Sequence, residues 1–226
     1  ARQCGRRRRG AAAGAAGSGP VKAHHALVTG DSGGGKSTLA REIAAAPAWV
    51  TIWINWDADD TVPTGRQRDD TATVRSGSGL LEAVRDGSTY VNYRTDDAMG
   101  AIGAARSVGY HELDRPLQII VDEAHEIMPT GADGSENGLA AGLRKDRDKA
   151  IRFVVVTQDP SDLAYSPLKQ IRYWSWVGPW SGFHDGFLNA HGWIPRDELP
   201  EEDYRYVVMD KRGNVMFRGE TKEEYT

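Results

Sequence analysis

A nine-residue stretch near the amino terminus, GDSGGGKST at residues 30–38, limits the possible folds of this chain more than any other feature. It follows the apolar run ALVT at 26–29 and leads into the helix-forming run STLAREIAAA at 37–46. Consecutive glycines allow backbone conformations that turn successive N–H groups inward, and the helix directs its positive end to the same point. The sequence therefore predicts a strand, an anion-binding loop and a helix.

The spacing in this stretch matches the pattern of Gly, four residues, Gly, Lys and Ser or Thr. Lys36 supplies a cation for the β and γ phosphates of ATP, and Ser37 supplies a hydroxyl for Mg²⁺, which prefers oxygen ligands. A flexible glycine-rich turn is the alternative, but such a turn does not require Lys36 and Ser37 in this register. The residues that we expect to bind the nucleotide are Gly30, Asp31, Ser32, Gly33, Gly34, Gly35, Lys36, Ser37 and Thr38.

Polar side chains follow two apolar runs, LQIIV at 117–121 and IRFVVVT at 151–157. We expect Asp122 to hold Mg²⁺ through water together with Ser37, and Glu123 to act as the general base for an attacking water. Gln158 can donate to a γ-phosphate and accept from that water, so it is a candidate for orienting the nucleophile. The alternative is that all three are ordinary polar residues at strand ends, without a catalytic role.

Strands and helices alternate along the chain, and the runs at 117–121 and 151–157 are apolar without alternation. Such strands are typical of a parallel sheet covered by helices on both faces, so the fold class is α/β. The elements predicted from the pattern are strands at 26–29, 49–56, 89–94, 117–121, 151–158 and 171–177, helices at 37–46, 80–87 and 96–110, a long loop at 57–79, and a hairpin at 204–220 that turns at KRGN.

Composition limits the organisation and the partners of the chain. The 226 residues are 39% hydrophobic and 27% charged, which favours one globular domain at 21–226. Residues 1–20 hold five arginines and no acid, which predicts a disordered basic leader, or alternatively an arm that contacts nucleic acid. The rest of the chain is acidic, which argues against broad adhesion to DNA.

No apolar run is long enough to cross a bilayer, so we expect no membrane span. The chain has one cysteine, Cys4, which excludes an internal disulfide and a cysteine-based structural zinc site. With no cysteine partners for them, the six histidines are expected to be structural or surface residues.

Three segments of the chain, LVTGDSGGGKSTLA, LQIIVDEAHEIMP and RDKAIRFVVVTQDPSDL, resemble the HerA/FtsK branch of P-loop ATPases. The resemblance implies a RecA-like domain with a mostly parallel central sheet and a carboxy-terminal β-hairpin. It also implies a homo-oligomeric ring, a pentamer or hexamer, that hydrolyses ATP to translocate double-stranded DNA. The chain is most similar to compact viral genome-packaging ATPases, which implies packaging into a capsid, a capsid or membrane docking protein, and a location in the cytoplasm or at the packaging vertex of the virion.

The same resemblance implies roles for two further residues. Gln158 corresponds to the polar sensor of the family, and Arg147 to the arginine that reaches the nucleotide of a neighbouring subunit, with Arg144 as a nearby substitute. A cation of this kind stabilises charge that builds on the transferred phosphoryl group. The alternative for the segment LRKDRDK is a solvated helix face.

Rival functions remain open at this stage. A zonula-occludens-toxin-like assembly ATPase shares the Thr-Gln strand but carries a membrane segment that this chain does not show. A P-loop small-molecule kinase needs only one α/β domain, but it usually has an arginine-bearing lid and no glutamate after the magnesium acid. A DEAH helicase needs a second RecA-like domain and a Ser-Ala-Thr segment after the acid box, and the roughly 100 residues that follow Asp122 contain neither.

Overall fold

The computed structural model describes residues 23–55, 68–131, 138–180 and 185–221, and the predicted leader at 1–20 lies outside these ranges. The described residues form one β-sheet flanked by helices, which confirms the predicted α/β fold class. The strands are β1 (Ala26–Thr29), β2 (Val50–Asn55), β3 (Thr71–Val74), β4 (Tyr90–Arg94), β5 (Leu117–Val121), β6 (Ile151–Thr157), β7 (Tyr173–Val177), β8 (Arg205–Asp210) and β9 (Val215–Glu220). The helices are α1 (Lys36–Ala44), α2 (Gly77–Arg85), α3 (Ala98–His111), α4 (Gly138–Lys145), α5 (Tyr165–Leu168) and α6 (Asp185–Ala190).

The sheet has the strand order β3-β4-β2-β5-β6-β1-β7-β8-β9. Strands β1 to β7 run parallel to one another, whereas β8 pairs antiparallel with β7 and forms the predicted hairpin with β9. Since β5, β6 and β1 are adjacent, the loops that follow them share one edge of the sheet, which we call the carboxyl edge. The opposite edge, where these strands begin, is the amino edge.

Both faces of the central strands are buried, as the uniformly apolar runs predict. In β5, Ile119 packs in the larger core on the side of α2, α3 and α4. Its neighbour Ile120 packs with Leu39 and Ala40 of α1 on the other face. Helices on both faces therefore hold β5 in place, and the acids that follow it are delivered to the carboxyl edge.

The prediction of a loop throughout 57–79 is wrong in its second part. Residues Thr71–Val74 form β3, which pairs in parallel with β4, and α2 begins at Gly77 rather than at residue 80. The side chain of Ser76 caps this helix by accepting a hydrogen bond from the Gly79 N–H at 3.1 Å. The sequence TATV resembles a loop because β3 is a short, half-exposed edge strand that needs few apolar residues.

Residues 56–67, the other part of that loop, lie outside the described ranges, as does most of the segment 130–138. Among the helices that the structure describes, none combines the length and apolar character that a bilayer crossing requires.

Candidate functional site

The glycine-rich loop connects β1 to α1, as predicted, and contacts from elsewhere in the fold require its glycines. A Cβ on Gly30 would lie 1.9 Å from the Val177 carbonyl oxygen at the end of β7. Gly35 has a left-handed φ of 100°, and a Cβ there would lie 3.0 Å from the ring of Tyr204. A larger residue at position 30 would have to move the backbone, and one at position 35 would be strained by the positive φ, so these two glycines set the path of the loop.

Lys36 is the first residue of α1, and its side chain lies inside the loop rather than in solvent. The residue is only 9% exposed, and its Nζ donates to the Asp31 carbonyl oxygen at 2.8 Å. Burial lowers the pKa of Lys36, while the charges of Glu123, Asp122 and Asp31 act in the opposite direction. Lys36 therefore lies close enough to Asp122 and Glu123, which follow β5, to interact with them electrostatically.

Asp122 directly follows β5 and faces this cation from the carboxyl edge. Burial raises the pKa of its carboxyl group, and the Glu123 charge acts in the same direction. The Glu123 N–H, which donates to Asp122 Oδ1 at 3.1 Å, opposes that rise together with the charges of Lys36 and Arg41. Asp122 and Lys36 therefore lie at the same edge of the sheet.

Glu123 has a backbone φ of 44°, in the left-handed region. For a residue other than glycine this conformation costs about 1–2 kcal/mol. The hydrogen bond from Ala124 N–H to the Val156 carbonyl, at 2.9 Å, holds the following residue against β6. Backbone strain that neighbouring contacts maintain is typical of functional positions.

Gln158 directly follows β6 and reaches Glu123. Its Nε2 lies 3.5 Å from Glu123 Oε1, at the outer limit for a hydrogen bond. The residue is exposed, so its amide remains accessible to a ligand at this edge. The two residues predicted to handle the attacking water are therefore side by side.

The oxygen groups of the loop suit Mg²⁺. Ser37 and Ser32 are exposed, whereas Thr38 is 8% exposed on the inner side of α1. The Ser37 hydroxyl and the Asp122 carboxylate are the kinds of ligand that Mg²⁺ takes when it retains several waters. The donor set therefore fits this ion.

Two residues at this site were missed by the sequence prediction. Tyr204, which precedes β8, donates its N–H to the Gly34 carbonyl at 3.1 Å, and its own carbonyl accepts from the Thr221 N–H at 2.7 Å. The residue that leads into the hairpin therefore supports the glycine-rich loop at residues 30–38, which the sequence predicts to bind phosphate and which we call the phosphate loop. No local signal in the sequence links residues 34 and 204, because only the antiparallel addition of β8 to β7 brings them together.

His125 is the second residue that was missed. Its Nδ1 lies 3.4 Å from Glu123 Oε2, and its Nε2 lies 3.5 Å from Glu126 Oε1. The histidine therefore stands between two carboxylates rather than at an unrelated part of the surface. Its position two residues after Glu123 was the available signal.

Arg147 lies at the amino edge, in the short 3-10 turn Asp146–Lys149 that precedes β6. Its side chain is 51% exposed, and its Nε is 3.9 Å from Asp148 Oδ1. The seven residues of β6 separate it from Gln158, and at about 3.3 Å per residue this is more than 20 Å, much longer than an arginine side chain. Arg144 is exposed in the last turn of α4. The fold therefore does not bring Arg147 to the phosphate loop of its own chain.

No protein-family model matches the chain, and no curated protein matches it by sequence. Among solved structures, it is similar to the genome packaging NTPase B204 from Sulfolobus turreted icosahedral virus 2 in complex with sulfate, with a TM-score of 0.67 and 15% identity over 90% of this chain and 99% of that chain. The same NTPase in complex with AMPPCP gives a TM-score of 0.64 and 15% identity over 89% and 98% of the two chains.

A third similar structure is EssC (ATPases 2 and 3) from Geobacillus thermodenitrificans, with a TM-score of 0.54 and 14% identity over 90% of this chain and 41% of that chain. The chain thus spans less than half of that protein. These likenesses confirm the predicted α/β fold and, at the level of fold alone, the predicted resemblance to compact viral packaging ATPases.

Proposed function

We propose that this protein is an ATP hydrolase that translocates double-stranded DNA and packages it into a viral capsid. The single observation that carries the proposal is the convergence of Lys36, Asp122, Glu123 and Gln158 around one glycine-rich loop. A buried cation, two half-buried acids and an exposed amide at one point are the groups that hydrolysis of a nucleoside triphosphate needs. The similar viral protein is itself named a genome packaging NTPase.

In this proposal the loop at residues 30–38 binds the triphosphate of ATP through its backbone N–H groups. Lys36 leaves the Asp31 carbonyl and places its charge against the β and γ phosphates. Ser37 and Asp122 would hold Mg²⁺, which would neutralise phosphate charge there. A buried cation and acid suit this task because electrostatic interactions are stronger where water is excluded.

Glu123 then acts as the general base. It removes a proton from a water molecule as the water oxygen bonds to the γ-phosphorus, and the bond from that phosphorus to the β–γ bridging oxygen breaks. ADP leaves with the electron pair of the broken bond, and inorganic phosphate is the second product. Gln158, next to Glu123, orients the water through its amide, and neither group transfers phosphate to a second substrate.

The ring is part of the same proposal. Arg147 is too far from the phosphate loop of its own chain to act there, so its proposed role is at the nucleotide of the adjacent copy in a pentamer or hexamer. Residues 21–226 would form this motor domain, with residues 1–20 as a basic leader. The proposed location is the cytoplasm or the packaging vertex of a virion, with a capsid or membrane protein as the docking partner.

The test is the rate of ATP hydrolysis with and without double-stranded DNA, with Glu123→Gln as the control for contaminating activity. Strong stimulation by duplex DNA supports a translocase. Stimulation by a small phosphate acceptor would replace the proposal with a kinase. Hydrolysis that responds to neither would favour an assembly ATPase of the zonula-occludens-toxin type.

A further inference from the structure

The surface of the described residues carries an acid-rich cleft beside the carboxyl edge, which we call the acidic cleft. It has a volume of about 590 Å³ and is lined by residues that lead into β8, by β8 itself and by the end of β9. Its two arginines are already paired, Arg205 with Glu202 at 2.8 Å and Arg218 with Glu198. Its acids are Asp197, Glu198, Glu201, Glu202 and Glu220.

A second cleft, of about 350 Å³, lies at the amino edge beside Arg147, and we call it the basic cleft. Its one acid, Asp210, accepts hydrogen bonds from the backbone of the hairpin turn at residues 212 and 214. Its cations are Arg147, Lys169, Arg172, Lys211 and Arg212. This is a concentration of positive charge on a chain whose net charge is −4.

Both clefts hold charges that no residue of the described ranges neutralises. Within the described ranges, Asp197 and Glu201 form no ion pair with any residue. Lys169 and Lys211 likewise have no carboxylate partner there, and Lys169 instead lies over the ring of Tyr165 at 4.6 Å. Among the described residues, two sets of charges of opposite sign therefore remain unpaired.

The clefts lie at opposite ends of the same pair of strands. Tyr206, in the acidic cleft, pairs with Val177 at the carboxyl end of β7, and Asp210, in the basic cleft, pairs with Tyr173 at its amino end. One cleft therefore cannot reach the other within a chain. They can meet between two chains that associate head to tail, the arrangement that produces rings when the rotation closes.

We propose that the basic cleft of one copy docks on the acidic cleft of the next copy, with Lys169 and Lys211 facing Asp197 and Glu201. The proposal rests on the proposed ring motor and names the contact that builds it. Complementary charges of this kind orient partners and oppose incorrect pairings more than they add affinity.

The same docking explains how Arg147 reaches a nucleotide. The acidic cleft includes Glu202 and Arg205, which flank Tyr204, and Tyr204 donates to the Gly34 carbonyl of the phosphate loop. Arg147 lines the basic cleft. Docking of the basic cleft on the acidic cleft therefore brings Arg147 towards the phosphate loop of the neighbouring copy. Charge pairing and the action of Arg147 in trans thus follow from one contact.

DNA is the competing occupant of the basic cleft, and its size argues against it. A volume of about 350 Å³ lies at the small end of the range for pockets that hold small molecules. Such a space admits a few side chains of a neighbouring protein. A duplex, whose major groove alone is about 12 Å wide, would have to lie across the opening rather than inside the cleft.

The test is a reciprocal charge reversal on the full chain, read by sedimentation velocity in the presence of a non-hydrolysable ATP analogue. The basic-side variant is Lys169→Glu/Lys211→Glu, and the acidic-side variant is Asp197→Lys/Glu201→Lys. The control Arg75→Glu/Lys145→Glu makes the same change of charge as the basic-side variant at exposed positions outside both clefts.

We expect each cleft variant to weaken self-association by about tenfold or more, and the control to leave it unchanged. The chain with all four cleft substitutions should assemble almost as the wild type does, which excludes misfolding as the cause. Loss of assembly in that chain would overturn the docking. Intact assembly of the basic-side variant with loss of DNA binding would also overturn it and assign the cleft to DNA. Restored assembly of that chain, together with an ATPase rate that does not change when DNA is added, would support the docking and contradict only the proposed DNA translocation.

Discussion

The two edges of the sheet are built by different means. At the carboxyl edge, backbone geometry dominates: the glycines of the loop, the left-handed Glu123 and the hydrogen bond from Tyr204 to Gly34 set the positions of the reacting groups. At the amino edge, side chains dominate: Asp146, which is fully buried, accepts from Arg106 at 2.5 and 2.9 Å and from the Tyr110 hydroxyl at 2.5 Å. This network ties the turn that carries Arg147 to α3.

The difference has a functional meaning. In the proposed motor, the carboxyl edge holds several groups around one polyphosphate, and closely spaced backbone groups do this with little freedom. The amino edge in the same proposal presents one cation to another molecule, for which a firm base beneath an exposed side chain is sufficient. Substitutions made at one edge at a time therefore test whether the two edges have different functions.

The largest effect is expected at the carboxyl edge from Glu123→Gln. The substitution keeps the shape of the side chain but removes the base, so steady-state ATP hydrolysis should fall by about 1,000-fold. Binding of a fluorescent ATP analogue should persist, since the phosphate loop is unchanged. Normal turnover in this variant would reject Glu123 as the base.

The next effect is on the stability of the amino edge, through Asp146→Ala. This change leaves Arg106 without its buried partner, and breaking a buried pair of this kind costs about 3 kcal/mol or more of the free energy of unfolding. Urea denaturation measures the loss. Asp148→Ala, at an exposed carboxylate in the same turn, is the control and should change the stability by less than about 0.5 kcal/mol.

His25 should make the amino edge sensitive to acid. Burial lowers the pKa of His25 from 6.5 to about 4, and its Nδ1 accepts from the Phe153 N–H at 3.0 Å. Between pH 6.5 and about 4 the unfolded chain binds a proton that the folded chain does not bind, so the stability falls as the pH falls, by roughly 3 kcal/mol in total. Unfolding curves across this range measure the slope.

The matched variant for this prediction is His25→Gln, which keeps a hydrogen-bond acceptor but does not titrate. Its stability should depend less on pH over the same interval. An equally steep loss of stability in the variant would show that another group causes the acid sensitivity.

Arg147→Ala tests whether the amino edge acts on a second molecule. The variant alone should hydrolyse ATP about 100-fold more slowly, because a cation at the transferred phosphate is missing. Mixing it with Glu123→Gln subunits should restore part of the activity, since each supplies what the other lacks at a shared site. Arg144→Ala, at the nearby alternative, tests which arginine acts, and absence of rescue would contradict the proposed action of Arg147 on a neighbouring copy.

The smallest effect in this series is expected for Lys36→Ala, measured as affinity rather than rate. Removing the ammonium group should weaken ATP-analogue binding by about tenfold, because one charge-assisted contact is lost while the backbone N–H groups remain. Isothermal titration measures the change. An unaltered affinity for the ATP analogue would contradict the role of Lys36 in phosphate binding. It would also weaken the contrast between the carboxyl edge and the amino edge.

Much of the carboxyl edge was readable from consecutive residues. The loop at 30–38, the strand ends at Asp122 and Gln158, and the hairpin at 204–220 were predicted because each depends on local backbone chemistry or on a short hydrophobic pattern. The edge strand β3 was missed because its pairing partner β4, rather than its own composition, makes it a strand.

The sequence by itself determined the type of sheet, the phosphate loop and the identity of the groups around it, because these depend on residues close together in the chain. Only the tertiary structure decided that Tyr204 supports Gly34, that His125 stands between two carboxylates, and that Arg147 lies a full strand length from its own phosphate loop. Such placements depend on contacts between distant segments, which are set by the free energy of the whole fold rather than by any single segment.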